Sequence, residues 1–237
     1  MQIELKLMTK NLEAQVRRSE IIANNLANAN SPGFKRDTLF IELLDTQQGA
    51  TAKIETQTDF SHGNIRQTDN PFDLALSKQG FFVIEKDGEE LYTRNGRFML
   101  DEEGFLSTST GEKVLGQQGW INLLIEGQQV GKVTINQLGE IFVDEQLVDQ
   151  LRVVDFDNYQ MLSKASGNAF RTDPANPPLP AEEAVVLQGR IEESNVSVID
   201  EMIGLIGVER QFESGQKLIK TLDHNLEKVV NVVGRFR

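Results

Sequence analysis

Residues 197–237 carry an unbroken seven-residue apolar repeat, and it leaves the chain few ways to fold. Val198, Leu205, Phe212, Ile219, Leu226 and Val233 occupy every seventh position. Three residues further on in each heptad stand Glu201, Val208, Gly215, Leu222, Val229 and Phe236, apolar except for Glu201 and Gly215. Such a repeat puts one apolar seam along a single long helix. At about 1.5 Å of rise per residue that helix runs roughly 60 Å, whereas globular helices average about three turns. A helix of that length outruns a small body beside it, so its seam calls for another long helix, from this chain or from neighbouring copies. The competing reading is a surface helix of an ordinary domain; length and regularity favour an assembly helix. Charges of both signs flank the seam, as in Glu209 and Arg210, Glu213 and Lys217, and Asp223 and Lys228, which suits a solvated or inter-subunit face.

A second helical segment opens the chain. Leu5, Met8, Leu12, Ile22 and Leu26 keep a three-four spacing, interrupted by Gln15 and Ser19 and broadened by Ile3, Leu7, Val16 and Ala23. Asn24, Asn25, Asn28 and Asn30 crowd its end, and asparagine amides compete with helical hydrogen bonds. Ser31-Pro32-Gly33 then stops it, because the residue before proline is pushed out of the helical region and glycine accepts the turn.

Between the helices the pattern changes. Residues 39–44 suit a short helix or strand, and residues 47–58 are polar with little periodicity, as in an extended connector. From residue 70 to about 188, short apolar runs alternate with turn signals. Lys86-Asp87-Gly88 and Asn95-Gly96 read as hairpin turns, with a buried strand at Phe81 and Val83 and another at Phe98 and Leu100 packing on it. The proline-rich run of residues 173–180 leads the chain back. Ser197 or Ser194 serves as the cap of the last helix. The expected architecture is α+β: long N- and C-terminal helices forming a coiled-coil-like pair, with a central antiparallel β domain. Its segments are residues 1–33 (assembly helix), 34–69 (connector), 70–188 (β domain) and 189–237 (assembly helix).

The formal net charge of −12 argues against a nucleic-acid surface, which needs clustered cations. The chain has no cysteine, so disulfides and thiolate metal sites are excluded. No stretch is long and apolar enough for a membrane span, and the N-terminus lacks the pattern of a cleaved secretory signal. His62 and His224 stand apart without metal-site spacing. Asp101, Asp155 and Asp157 lack a calcium-loop pattern, and Gly111, Gly116 and Gly119 lack the lysine-serine pair of a phosphate loop. Asn195-Val196-Ser197 matches a glycosylation sequon at a helix start. No catalytic constellation emerges, and no cofactor is expected.

The block Ala23-Asn24-Asn25-Leu26-Ala27-Asn28-Ala29-Asn30-Ser31-Pro32-Gly33-Phe34-Lys35-Arg36 closely resembles the N-terminal signature of the bacterial flagellar axial proteins, the rod, hook and hook-associated subunits. Residues 70–76, 80–83 and 92–98 resemble the family's entry into its β domain, and residues 188–196 its second signature. The resemblance implies a structural subunit, not an enzyme. Such subunits leave uncleaved through the flagellar type III export apparatus and polymerise with their own kind and other rod and hook subunits into the periplasmic drive shaft. It also implies that the connector contacts neighbouring subunits. Glu209-Arg210-Gln211-Phe212-Glu213, with Lys217, Lys220 and Thr221, resembles the proximal rod subunits more than the distal rod or hook subunits. On this reading the assembly residues are Leu5, Met8, Leu12, Ile22, Leu26, Asn24, Asn25, Asn28, Pro32, Gly33 and Phe34, followed by Val198, Leu205, Phe212, Ile219, Leu222, Leu226, Val229 and Val233. The alternatives are a distal rod or hook-type subunit, and a periplasmic β-domain binding module dimerised by a coiled coil. The latter predicts a face of exposed aromatics, yet Trp120 is the only tryptophan.

Overall fold

The computed structural model describes residues 2–46, 49–124, 131–181 and 183–233. Helix α1 (Gln2–Ala27) and helix α2 (Val198–Val233) bracket a succession of short strands. Among the described residues no helix is long and apolar enough to cross a membrane. The chain divides into two compact units, one from Met1–Ala27, Asp37–Gln57 and Ser197–Arg237, the other from Asn28–Arg36 and Thr58–Val196.

In the first unit, strands Asp37–Thr46 and Gly49–Thr58 pair as a two-stranded sheet. Ser197 caps α2, its hydroxyl accepting from the Asp200 amide at 3.4 Å; Asp200 and Glu201 sit in the first turn, where the helix dipole favours them. α1 and α2 touch through glycines: a Cβ at Gly204 would lie 3.3 Å from Ile22 Cδ1, and one at Gly215 would lie 3.1 Å from Leu12 Cδ2.

The expected coiled-coil-like pair is therefore corrected. A coiled coil seals its seam with apolar knobs, but here Val198 is 41% exposed and Leu205, Phe212 and Ile219 are only half-buried. Glu201 and Val208 are the buried positions of the α2 seam among the described residues. Polar Gln15 and Ser19 occupy the facing stripe of α1, and aliphatic side chains meet glycines instead of filling holes between knobs. The chain has two terminal helices that contact each other without forming that pair, and a mostly β central part.

The second unit is built around strand Phe81–Lys86, whose partners are Glu89–Thr93, Lys113–Val114 and Val153–Asp155, all antiparallel. Successive side chains of a strand point to opposite faces. Phe82 and Ile84 accordingly join one core with Leu74, Leu91 and Ile121. Phe81 and Val83 join the other with Tyr92, Phe156 and Phe170. All four are at most 2% exposed, and each contributes on the order of 2 kcal/mol by leaving water.

Lys86-Asp87-Gly88 makes the expected hairpin: Lys86 pairs with Glu89, and Asp87 and Gly88 take φ of 52° and 82°, as a two-residue primed turn demands. Asn95-Gly96 does not. Strand Glu89–Thr93 lies between Ala169–Arg171 and Phe81–Lys86, while Phe98–Leu100 pairs with Leu106–Thr108. Gly96 serves close approach instead: its carbonyl accepts from the Leu74 amide at 2.8 Å, and a Cβ there would fall 1.7 Å from the Leu74 carbonyl oxygen. The returning chain pairs beside the entering one, Val186–Gln188 on Leu74–Leu76 and Arg190–Glu192 on Ile65–Gln67.

Candidate assembly site

The asparagine-rich end of α1 is held by an amide clasp within the first unit. Asn25 is 1% exposed and Glu201 2%. The Asn25 amide donates to the Asp37 carbonyl at 2.8 Å and to Glu201 Oε1 at 3.3 Å, and its oxygen accepts from the Asp37 amide at 2.9 Å. The side chain thus copies a strand's paired donor and acceptor, tying α1 to the start of the hairpin and to the first turn of α2. A buried amide so satisfied loses little on desolvation.

In the second unit, residues 28–36 are held by an ionic clasp. The turn closes as the Ser31 amide donates to the Asn28 carbonyl at 3.0 Å and the Ser31 hydroxyl to Asn28 Oδ1 at 3.2 Å. Gly33 has φ of 66°, and a Cβ on it would lie 2.3 Å from the Arg94 carbonyl carbon and the Asn95 nitrogen. Only glycine satisfies both conditions. Its amide donates to the Glu192 carbonyl at 2.8 Å. Phe34 is buried, with the Lys164 ammonium 4.3 Å from its ring centroid.

Lys35 is 1% exposed. Its ammonium donates to Glu192 Oε1 at 2.6 Å and to the Ser61 carbonyl at 2.7 Å. Glu192, equally buried, also accepts from the Gly63 amide at 3.1 Å and from Arg94 Nη1 at 3.4 Å. Arg94 is itself buried, donates to the Lys78 carbonyl at 2.9 Å, and lies 5.4 Å from the Phe81 ring centroid. Two buried cations therefore share one carboxylate. Burial pushes Lys35 below the usual lysine range despite the opposing pull of Glu192. His62 is lowered by burial and by the nearby Arg94 charge.

Asn195 completes this clasp. It accepts from the Arg36 amide at 2.8 Å and donates to the Asp59 carbonyl at 2.9 Å and the Ser61 hydroxyl at 3.0 Å. The sequon's amide is thus fully engaged. Among the described residues no cluster of three or more acidic, histidine or cysteine side chains is placed to hold a metal ion.

Of the residues expected to assemble, Ile22 is buried against α2, Leu12 and Leu26 are half-buried, and Asn24 is exposed. Asn25, Asn28, Pro32, Gly33 and Phe34 belong to the clasps and the turn between them. On α2, Leu205, Phe212 and Ile219 line the inner face and Val198 is exposed. The side chains of Leu5, Met8, Leu222, Leu226, Val229 and Val233 lie outside the described residues.

Sequence reasoning missed Lys35, Arg94, Glu192 and Asn195 as a group, since nothing in local patterning turns a lysine inward. It also missed the outer face of α2, where Ile199, Met202, Ile203 and Ile206 are 71%, 52%, 64% and 49% exposed. Their i, i+3, i+4, i+7 spacing was the available signal.

Three family descriptions match successive parts of the chain: "Flagella basal body rod protein" over residues 11–35, "Flagellar hook protein FlgE/F/G D1 domain" over 75–143, and "Flagellar basal body rod FlgEFG protein C-terminal" over 187–232. Flagellar basal-body rod protein FlgF of Caulobacter vibrioides is 31% identical over 233 residues, covering 93% of each chain. Flagellar basal-body rod protein FlgG of Buchnera aphidicola subsp. Schizaphis graminum is 31% identical over 92% of this chain and 95% of its own. The FlgG protein of Bacillus subtilis is 28% identical over 90% and 92%. Matched at both ends and through the β unit, this chain belongs to the flagellar basal-body rod proteins, a family of structural subunits and not of enzymes.

Proposed function

We propose that this rod subunit is of the proximal type and polymerises through its terminal helices, with its own copies and with other rod and hook subunits, into the shaft that carries motor torque to the hook. It works in the periplasmic part of the basal body and reaches it through the flagellar type III export apparatus without cleavage. In this reading residues 1–33 and 189–237 assemble, residues 34–69 connect and contact neighbours, and residues 70–188 form the body. The assembling side chains are those of the α1 and α2 seams, together with the Asn25 to Phe34 turn.

The observation that carries the reading is the state of the helical unit. Its inner seam is half-closed, and its outer face shows large aliphatic side chains to solvent, a surface that monomers seldom leave uncovered. A deletion strain is expected to be non-motile and to lack complete rods, and the intact gene restores both. Phe212→Asp with Ile219→Asp should fail to restore them while the β unit melts as before. Normal swimming by either strain refutes the assembly role.

A further inference from the structure

The outer face of α2 changes character along its length. Ile199, Met202, Ile203 and Ile206 make it apolar at first, and Arg210, Glu213 and Lys217 make it charged thereafter; all are exposed. Gly207, on the edge of the apolar part, has no atom within 4 Å of where a Cβ would stand. A helical glycine costs about 1 kcal/mol relative to alanine. Gly204 and Gly215 have a visible reason for that cost, since each receives an aliphatic side chain of the antiparallel α1. Gly207 offers the same kind of seat to a helix from outside.

The outer face of α1 matches this surface. Glu13, Glu20, Ala23 and Ala27 are exposed there, with Arg17 beside Glu20 at 3.1 Å, so acids and small residues stand where α2 shows cations and large ones, and Arg17 stands where α2 shows Glu213. Seven residues separate Ile203, Arg210 and Lys217, and seven separate Ala27, Glu20 and Glu13. Antiparallel helices that set Ile203 against Ala27 therefore bring Arg210 opposite Glu20 and Lys217 opposite Glu13, with Gly207 opposite Ala23. We infer that the outer face of α2 in one copy packs antiparallel on the outer face of α1 in a second copy of this chain, in that register. The inference rests on the rod reading and specifies its lateral contact. Two different faces meet, so the contact does not close on itself and can repeat indefinitely. A lipid occupant fits poorly, because the rim acids Asp200, Glu209 and Glu213 repel anionic headgroups.

The chain has no cysteine, which makes disulfide trapping clean. Ala27→Cys and Ile203→Cys are introduced into the full chain, made in a strain lacking its own copy and oxidised in intact cells. Both on one chain are expected to give a ladder of multimers, each alone only monomer, and the two on separate copies a dimer. A dimer from Ile203→Cys alone means that the apolar face pairs with itself, and overturns the inference. Absence of the ladder in a strain that swims overturns the contact and leaves the rod function standing.

A second measurement uses purified full-length protein. Arg210→Glu with Lys217→Glu should weaken self-association by about tenfold or more in sedimentation, and adding Glu13→Lys with Glu20→Lys should restore it. Failure of the swap to restore association overturns the proposed register, whatever the cells do.

Discussion

The two clasps lie close together in sequence, yet they hold the chain by opposite means. Asn25 is a neutral amide with its donors and acceptor placed on the Asp37 backbone and Glu201. Lys35 and Arg94 are buried charges that depend on one carboxylate, Glu192. A satisfied amide can be lost at the cost of its hydrogen bonds. A shared counter-ion cannot be lost without stranding two cations. The ionic clasp should therefore be the brittle one, and Trp120, the only tryptophan, reports on its unit, while far-UV circular dichroism reports on the helices.

The largest effect is expected from Glu192→Ala. It leaves Lys35 and Arg94 buried without their anion and should cost about 3–5 kcal/mol in urea unfolding followed by Trp120 fluorescence. Lys35→Met should cost less, because Glu192 keeps Arg94 and the Gly63 amide; equal losses would remove the distinction between a shared and a private counter-ion. Gly33→Ala comes next, at about 2–4 kcal/mol by the same probe, since it adds left-handed strain to a backbone overlap. Asn25→Ala should cost about 1–3 kcal/mol, as Asp37 and Glu201 lose a partner, and the loss should show in the helical signal. If it equals the Glu192→Ala loss, the amide clasp is no cheaper than the ionic one.

The smallest effect concerns pH. The folded value of His62 lies below 6.5, so the unfolded chain takes up the proton first as pH falls. The stability it contributes is present above that range and fades as pH drops through 6.5 and below. His62→Gln should flatten the fall in the urea midpoint across that window; an unchanged slope assigns the fall to other groups.

Local chemistry made some of this legible beforehand. The heptads of α2, the stop at Ser31-Pro32-Gly33 and the Asp87-Gly88 turn each follow from neighbouring residues, and the sequence suffices for them. Asn95-Gly96 misled because the demand on Gly96 comes from Leu74, which is distant in the chain. Lys35 misled for a related reason: a buried lysine is tolerable only with Glu192 in place, and no periodicity encodes that partner. The coiled-coil expectation counted every seventh residue on one side of α2, so it passed over Ile199, Ile203 and Ile206 on the other. Seams tell where a helix is apolar, whereas the filling of Gly204 and Gly215 depends on which partner arrives.

The pairing of Lys35 with Glu192 spans 157 residues of chain. A chain made from its N-terminus has Lys35 early and Glu192 only on the last strand, so the β unit stays open at this joint until that strand is made. Closing so long a loop is slow, so this joint is expected to form late in folding. Stiffness arrives late, once the last strand delivers its carboxylate.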